Sequence, residues 1–286
     1  MKLARIRQNR NTIPAVVVSD SEILDCSSIA SDWDGSFYEN GGVASLQKAL
    51  AEKKAKLPRL SPQPSDFDSS IPRPGKIVCI GLNYHDHAKE AGMEIPTEPI
   101  IFMKATTALS APNDPIRKPR NSEMLDWEVE LGIVIGKRAR YLKTEEEALS
   151  SIAGYTLVHD VSERDFQLKR GGQWVKGKSH DTFCPTGPWV ATSDEIENPG
   201  RLALSLSVNG EIKQSESTGS MIFSVSKIVH YLSQYMTLEA GDLIITGTPS
   251  GIGGGMNPPQ FLEIGDKIEL SIEGLGTQTQ IVIADR

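Results

Sequence analysis

"DWEVELGIVIG", residues 126–136, opens as an acid patch and closes as a core strand. Side chains alternate across a β-strand. Glu128, Glu130, Gly132 and Val134 therefore share one face, and Trp127, Val129, Leu131, Ile133 and Ile135 share the other, which is plainly core. Two carboxylates on one face repel each other unless water or a cation lies between them. Taken alone, "EVE" reads equally well as a solvated strand end. A third acid shifts that balance. "GYTLVHDVSERDFQ", residues 154–167, is an apolar strand that ends in His159-Asp160. Three carboxylates from two strand regions suit a hard divalent cation with oxygen ligands, Mg²⁺ or Mn²⁺ ahead of Ca²⁺. They do not suit structural zinc, which prefers Cys and His.

Two further clusters flank strand signals. "GLNYHDHAKEAG", residues 81–92, follows the strand "KIVCI". If it is helical, His87 and Glu90 fall on one face at i, i+3. A carboxylate beside an imidazole orients it and raises its basicity, as general bases require. His85 and Asp86 compete at other spacings, and for this stretch alone a polar loop leading to an exposed helix turn is the better explanation. Gly81 and Gly92 could hinge a lid. "GTPSGIGGG", residues 247–255, follows "DLIIT". It lacks the Lys-Ser/Thr of a phosphate loop. The better functional reading is a turn offering backbone N–H groups and Thr248 to a carboxylate, against a plain glycine-rich loop.

Outward from these clusters, the chain reads as mainly β. Strand signals recur at "KIVCIG", "ELGIVIG", "IAGYTLVHD", "LALSLSVNG", "DLIITG" and "DKIELSIEG". "LEAGDLI" and "LEIGDKI" resemble each other as Gly-Asp turns into strands, not as a repeat. Helical patterns are fewer: "GVASLQKALAEKKAK" (42–56), "TEEEALSSI" and "FSVSKIVHYLSQY". The composition predicts an α+β, mainly β fold, a barrel or curled sheet. "LPRLSPQPSDFDSSIPRPG" is rich in Pro, Ser and Asp and reads as a linker or extended arm. The expected division is a small N-terminal α/β domain with linker at 1–70 and the main domain at 71–286.

Bulk numbers bound the function. The chain has 286 residues, 38% hydrophobic and 23% charged, with net charge −7. That is a globular composition. The acidic balance and the lack of a basic cluster argue against nucleic-acid binding. The start, "MKLARIRQNRNTIPAVVV", has no long apolar region, and no stretch approaches a membrane span. Three scattered cysteines, Cys26, Cys79 and Cys184, form no C-x-x-C and read as reduced, buried thiols of a cytoplasmic protein. Cys184, beside Pro185, has nothing near it in sequence to support a nucleophile.

Taken together, "GLNYHDHAKE", "PIIFMKATTAL", "DWEVELGIVIG", "HDVSERDFQ", "KGKSHDTFCPTGP" and "DLIITGTPSGIG" resemble, in order, the motifs of the fumarylacetoacetate hydrolase family. The resemblance covers roughly residues 74–286, and six co-linear motifs are far more specific than any one. It implies a mixed β-roll or barrel and a homodimer. By position, Glu128, Glu130 and Asp160 match the Mg²⁺ or Mn²⁺ ligands. His87 and Glu90 match a water-activating dyad on a mobile lid. Arg164, Gln167, Lys178, Thr248 and Lys104 match substrate-binding positions, and Lys178 also adds catalytic positive charge. The implied reaction is metal-dependent hydrolysis of a C–C bond in a 2,4-diketo acid, an acylpyruvate or a diketo-deoxy sugar acid, giving pyruvate and a carboxylic acid. Oxaloacetate decarboxylation and isomerisation or hydration of dienoic acids pass through the same enolate on the same scaffold. A non-catalytic carboxylate-binding protein would be expected to have a broken acid triad or dyad, and both are intact.

Overall fold

A computed structural model describes residues 1–53, 56–90 and 92–285. The quoted stretch lies at the centre of the fold. Residues Val129–Ile135 form a strand buried at every position, as a β-branched and apolar run should be when both faces of its sheet are covered. It pairs antiparallel with Ile152–His159 on one side and Leu243–Ile245 on the other. Gly132 stands where these three strands crowd together. A Cβ there would come within 2.7 Å of Val158 and 2.9 Å of Thr156.

The three central strands belong to a ten-stranded mixed sheet. In order across it run 59–60, 22–25, 11–19, 2–8, 189–192, 152–159, 129–135, 243–245, 77–81 and 100–104. Only 243–245 and 77–81 pair in parallel within it. A five-stranded sheet packs beside it, in the order 211–217, 203–208, 267–272, 276–284 and 116–118. One continuous hydrophobic cluster joins the two, with Leu131 and Ile133 from the larger sheet and Leu206 and Leu270 from the smaller. The mainly β expectation is therefore met, as two packed sheets with few helices.

Those helices follow their sequence signals. Val225–Tyr235 is capped by Ser224, whose side chain accepts from the Lys227 N–H, and it buries Val225, Ile228, Val229 and Leu232. That is the i, i+3, i+4, i+7 stripe of an amphipathic helix. Glu145–Ser150 is capped the same way by Thr144. The pattern over 42–56 forms a helix at Gly42–Lys53; Lys54 and Ala55 lie outside the described residues.

The N-terminal segment has no sheet of its own. Its strands continue the large sheet through the pairing of Lys2–Ala4 with Trp189–Ala191. Leu3, Val16, Leu24 and Trp33 sit in the same hydrophobic cluster as the central strands. The Pro- and Ser-rich stretch from Leu57 is a packed arm. Its Arg59–Leu60 pairs with Ile23–Leu24, and Ser70 and Ile71 are buried.

The topology gathers chain ends at one edge. Strand 129–135 begins there, because Val129 pairs with His159 at the end of strand 152–159. The parallel strands 77–81 and 243–245 run antiparallel to 129–135 and so finish at the same edge. Each of the three sequence clusters follows or precedes one of these ends.

Candidate active site

Glu128, Glu130 and Asp160 all lie buried at that edge, and one oxygen of each comes within 4.8 Å of the others. The Lys178 ammonium bridges Glu128 at 2.7 Å and Asp160 at 2.8 Å. Arg164 donates from Nη2 to Glu128 at 2.7 Å. Burial pushes the Glu128 carboxyl up, but Lys178 and Arg164 outweigh it and hold the group well below the usual carboxylate range. Glu130 goes the other way. Burial, then the neighbouring charges of Asp160 and Glu128, push it well above its ordinary value. It accepts one N–H, from Gly247 at 2.5 Å. Three buried carboxylates crowded within 4.8 Å, one of them so poorly compensated, fit a hard divalent cation by charge and by donor chemistry.

The dyad stands across the same cavity. Residues His85–Glu90 form a short helix, and His87 Nδ1 lies 3.4 Å from Glu90 Oε2. His87 is buried, whereas the rival candidates His85 and Asp86 are exposed. The start of this helix is pinned. Buried Asn83 donates to the Phe223 and Thr246 carbonyls and accepts from the Phe223 N–H.

The glycine loop spends its N–H groups on the protein's own carboxylates. Gly247 donates to Glu130, Gly251 to Glu90 at 3.0 Å, and Gly253 and Gly254 to Asp126 at 2.7 and 2.9 Å. Gly251 has a φ of +100°, and a Cβ on Gly253 would lie 2.0 Å from the Gln260 carbonyl oxygen. Such close approach is open only to glycine. The turn expected to offer N–H groups and Thr248 to a carboxylate turns its N–H groups on three of the chain's own acids, and its Thr248 hydroxyl on the Val129 carbonyl.

A cavity of about 340 Å³ joins these groups and is lined by His87, Glu90, Glu128, Glu130, Lys178 and Arg164, among others. Gln167 and Thr248 also line it. The Thr248 hydroxyl donates to the Val129 carbonyl and accepts from Gln214. Lys104 does not line the cavity. It lies behind Asp160, bonded to that carboxylate and to the Val161 carbonyl. Arg164 is held by three partners: Asp126 at 2.7 Å, Glu128 at 2.7 Å and Gln167 at 3.0 Å.

Asp126 is a site residue that sequence reasoning passed over. Fully buried, it ties Arg164 to the glycine loop. Its signal was its place two residues before Glu128. Gln214 was also missed. It accepts from the Val129 N–H and donates to Thr248 and Pro249, and one glutamine in an ordinary strand gives no signal. The three cysteines are free and buried. Burial pushes the Cys184 thiol up to about 12, which leaves it unreactive.

Comparison with known proteins settles the family. The model described as "Fumarylacetoacetate (FAA) hydrolase C-terminal" matches residues 76–283. The chain belongs to the fumarylacetoacetate hydrolase family. It is 47% identical to a 2,4-didehydro-3-deoxy-L-rhamnonate hydrolase from Sphingomonas sp. (strain SKA58), over 99% of this chain and 96% of that protein. Among solved structures of this family, the maleylpyruvate hydrolase from Sphingobium sp. SYK-6, with manganese(II) and pyruvate, aligns with a TM-score of 0.82. It is 27% identical, and the alignment covers 100% of both chains. A 2-hydroxyhepta-2,4-diene-1,7-dioate isomerase from Mycobacterium marinum aligns with a TM-score of 0.76 at 34% identity, covering 100% of this chain and 99% of that one.

Proposed function

We propose that this protein is a divalent-metal-dependent hydrolase that cleaves a C–C bond in a 2,4-diketo acid to pyruvate and a carboxylic acid. The observation that carries this reading is a single cavity with Glu128, Glu130 and the His87–Glu90 pair on its walls, and with buried Asp160 completing the acid triad within 4.8 Å of the two glutamates. Glu128, Glu130 and Asp160 would hold Mg²⁺ or Mn²⁺, with Ca²⁺ a poorer alternative. A cation there would supply Lewis-acid stabilisation of negative charge on the substrate's keto oxygen. Lys178 adds a fixed positive charge beside the same oxygens. His87, oriented by Glu90, takes a proton from water. The resulting hydroxide adds to the C4 carbonyl. The C3–C4 bond then breaks, its electron pair passes into the pyruvate enolate, and a proton returned to C3 completes pyruvate. The other product is the acid derived from C4.

The packing supports finer roles. Arg164, held by Asp126 and Glu128, positions Glu128 and the glycine loop. Lys104 positions Asp160. Gln167, on the cavity wall, is a polar contact for substrate, whereas the Thr248 hydroxyl donates to the Val129 carbonyl and positions the glycine loop. The family match beginning at residue 76 supports a division near residue 70, with the first part a lobe built onto the catalytic sheet. Three buried free thiols suit the reducing cytoplasm. A homodimer, which the family resemblance implies, belongs to this reading. Among the described residues, no helix is long and apolar enough to cross a membrane.

The test is product analysis with Mn²⁺ and Mg²⁺ on acetylpyruvate, a 2,4-diketo-3-deoxy sugar acid, oxaloacetate and a 2-hydroxydienedioate. Pyruvate plus an acid from the first two is expected. Carbon dioxide from oxaloacetate alone would make the protein a decarboxylase. Rearranged dienedioate without cleavage would make it an isomerase.

A further inference from the structure

The glycine loop reaches both halves of the cavity wall. Gly247 donates to Glu130. Gly253 and Gly254 donate to Asp126, which is tied through Arg164 to Glu128. These bonds fasten the loop to the acid-triad half. Toward the dyad it offers Gly251, whose N–H nitrogen lies 3.0 Å from Glu90 Oε1 and 3.2 Å from Oε2.

Gly255 completes this contact by lacking a side chain. A Cβ there would lie 2.5 Å from Glu90 Cδ, 2.6 Å from Cγ and 2.9 Å from Oε1. Packed atoms do not approach so closely, so one side would have to give way. The backbone at 255 makes no demand for glycine. Its φ lies outside the left-handed region, unlike that of Gly251 at +100°. The space at 255 is therefore the space of the Glu90 carboxylate. The loop cannot easily retreat, because Asp126 holds two of its amides and the Gly253 carbonyl accepts from the Gln260 N–H at 3.0 Å. The Glu90 side chain, with its rotatable bonds, is the part that would move. Its contact with His87 Nδ1 is already long at 3.4 Å, and a shift of a few tenths of an ångström would break it.

We infer that Gly251 and Gly255 form a seat for the Glu90 carboxylate, and that this seat sets the geometry of the His87–Glu90 pair. Gly251 supplies the donor and Gly255 the room. Both are positioning residues that act through Glu90. Because the same loop is bonded to Glu130 and Asp126, the seat also fixes the dyad in register with the acid triad. Its part in turnover rests on the hydrolase reading; its existence does not.

Amide hydrogen exchange in the Mn²⁺-loaded protein reads the seat without any turnover. Gly255→Ala is expected to speed exchange of the Gly251 N–H by about 10-fold, as release of that amide to water would. Glu90→Ala, which adds no atom to the loop, should do the same. An unchanged Gly251 amide in either variant overturns the seat. Pyruvate release from acetylpyruvate reads the role of the seat. Gly255→Ala should lower kcat by about 10²-fold, the scale of general-base assistance, with KM and Mn²⁺ affinity within a few-fold of wild type. In a Glu90→Ala background the same change should cost almost nothing, because the side chain it displaces is gone. A methyl group that strained the loop or crowded the substrate would cost as much in both backgrounds. That result, or an unchanged kcat in Gly255→Ala, overturns the positioning role. A faster Gly251 amide in both variants, with no pyruvate from any diketo acid even in the wild type, overturns the hydrolase reading and leaves the seat standing.

Discussion

Glu130 and Asp126 lie four residues apart in one motif, yet they have opposite electrostatic fates. Asp126 accepts from Arg164 and from two loop N–H groups, while Glu130 is crowded by Asp160 and Glu128. Replacing Glu130 by Gln should therefore do two things at once. The metal-free protein should melt about 2–4 °C higher, as relief of roughly 1 kcal/mol of repulsion would give. Mn²⁺ affinity, read by calorimetry, should fall by about 10²-fold or more as one of three anionic ligands disappears. Unchanged affinity would remove Glu130 from the ligand set. Asp126→Asn and Arg164→Ala should each lower kcat/KM by at least about 10-fold, and the double variant should cost little more than the worse single one, because the two act as one unit. Strictly additive losses would show that they act separately. Arg170, exposed and paired with Asp165, is the neutral control. At this scale the triad and the dyad were legible through six co-linear motifs together, since "EVE" alone reads equally well as a solvated strand end. The partners of Arg164 were not. A guanidinium's acceptors depend on which distant backbone it meets, and strand alternation carries no trace of that.

The elements around the site differ in how firmly they are anchored. The helix His85–Glu90 begins just after Asn83 and Tyr84, which are buried. Beyond the helix, Met93 and Ile95 stand more than half exposed. A lid hinged at Gly81, as the sequence suggested, would carry Asn83 with it and have to break three buried hydrogen bonds. The moving part should instead begin after Tyr84. Hydrogen exchange should show slow amides at 82–84 with or without oxalate, and amides at 92–97 that slow when oxalate and Mn²⁺ bind. His87→Ala should lower kcat by about 10²–10⁴-fold while oxalate affinity stays within a few-fold. An active variant would return the role of base to another residue, and equal protection of 92–97 in both states would rule out a closing segment. The i, i+3 spacing put His87 and Glu90 on one face only if the segment was helical, and it is. The anchor of the helix was not readable, because Asn83 bonds to Phe223 and Thr246, far along the chain.

The whole molecule hides one feature from its sequence almost completely. The Pro- and Ser-rich stretch after Leu57 has the composition of a linker, and a boundary placed there suggests two bodies. In the fold, strand 2–8 pairs with strand 189–192, and nothing in either run of residues names its partner across that separation. Arg5 adds a cross-tie, donating to Asp32 at 2.7 and 2.9 Å and to the Ser69 carbonyl at 3.0 Å. Trp33 is fully buried and donates to the Ala4 carbonyl at 2.7 Å. Deleting residues 1–70 would therefore do more than remove a lobe. Strand 189–192 would become an open edge, an invitation to aggregate. The hydrophobic cluster would lose Leu3, Val16, Leu24 and Trp33, and each vacated large side chain typically costs about 2–5 kcal/mol. Set against a total stability of about 5–15 kcal/mol, that loss should leave 71–286 without a cooperative thermal transition and prone to precipitate. Circular dichroism melts and light scattering on the truncated and full chains read this directly. A truncated chain that melts cooperatively near the full-length temperature would instead show that the catalytic part is complete by itself, with the N-terminal strands an independent addition to its edge.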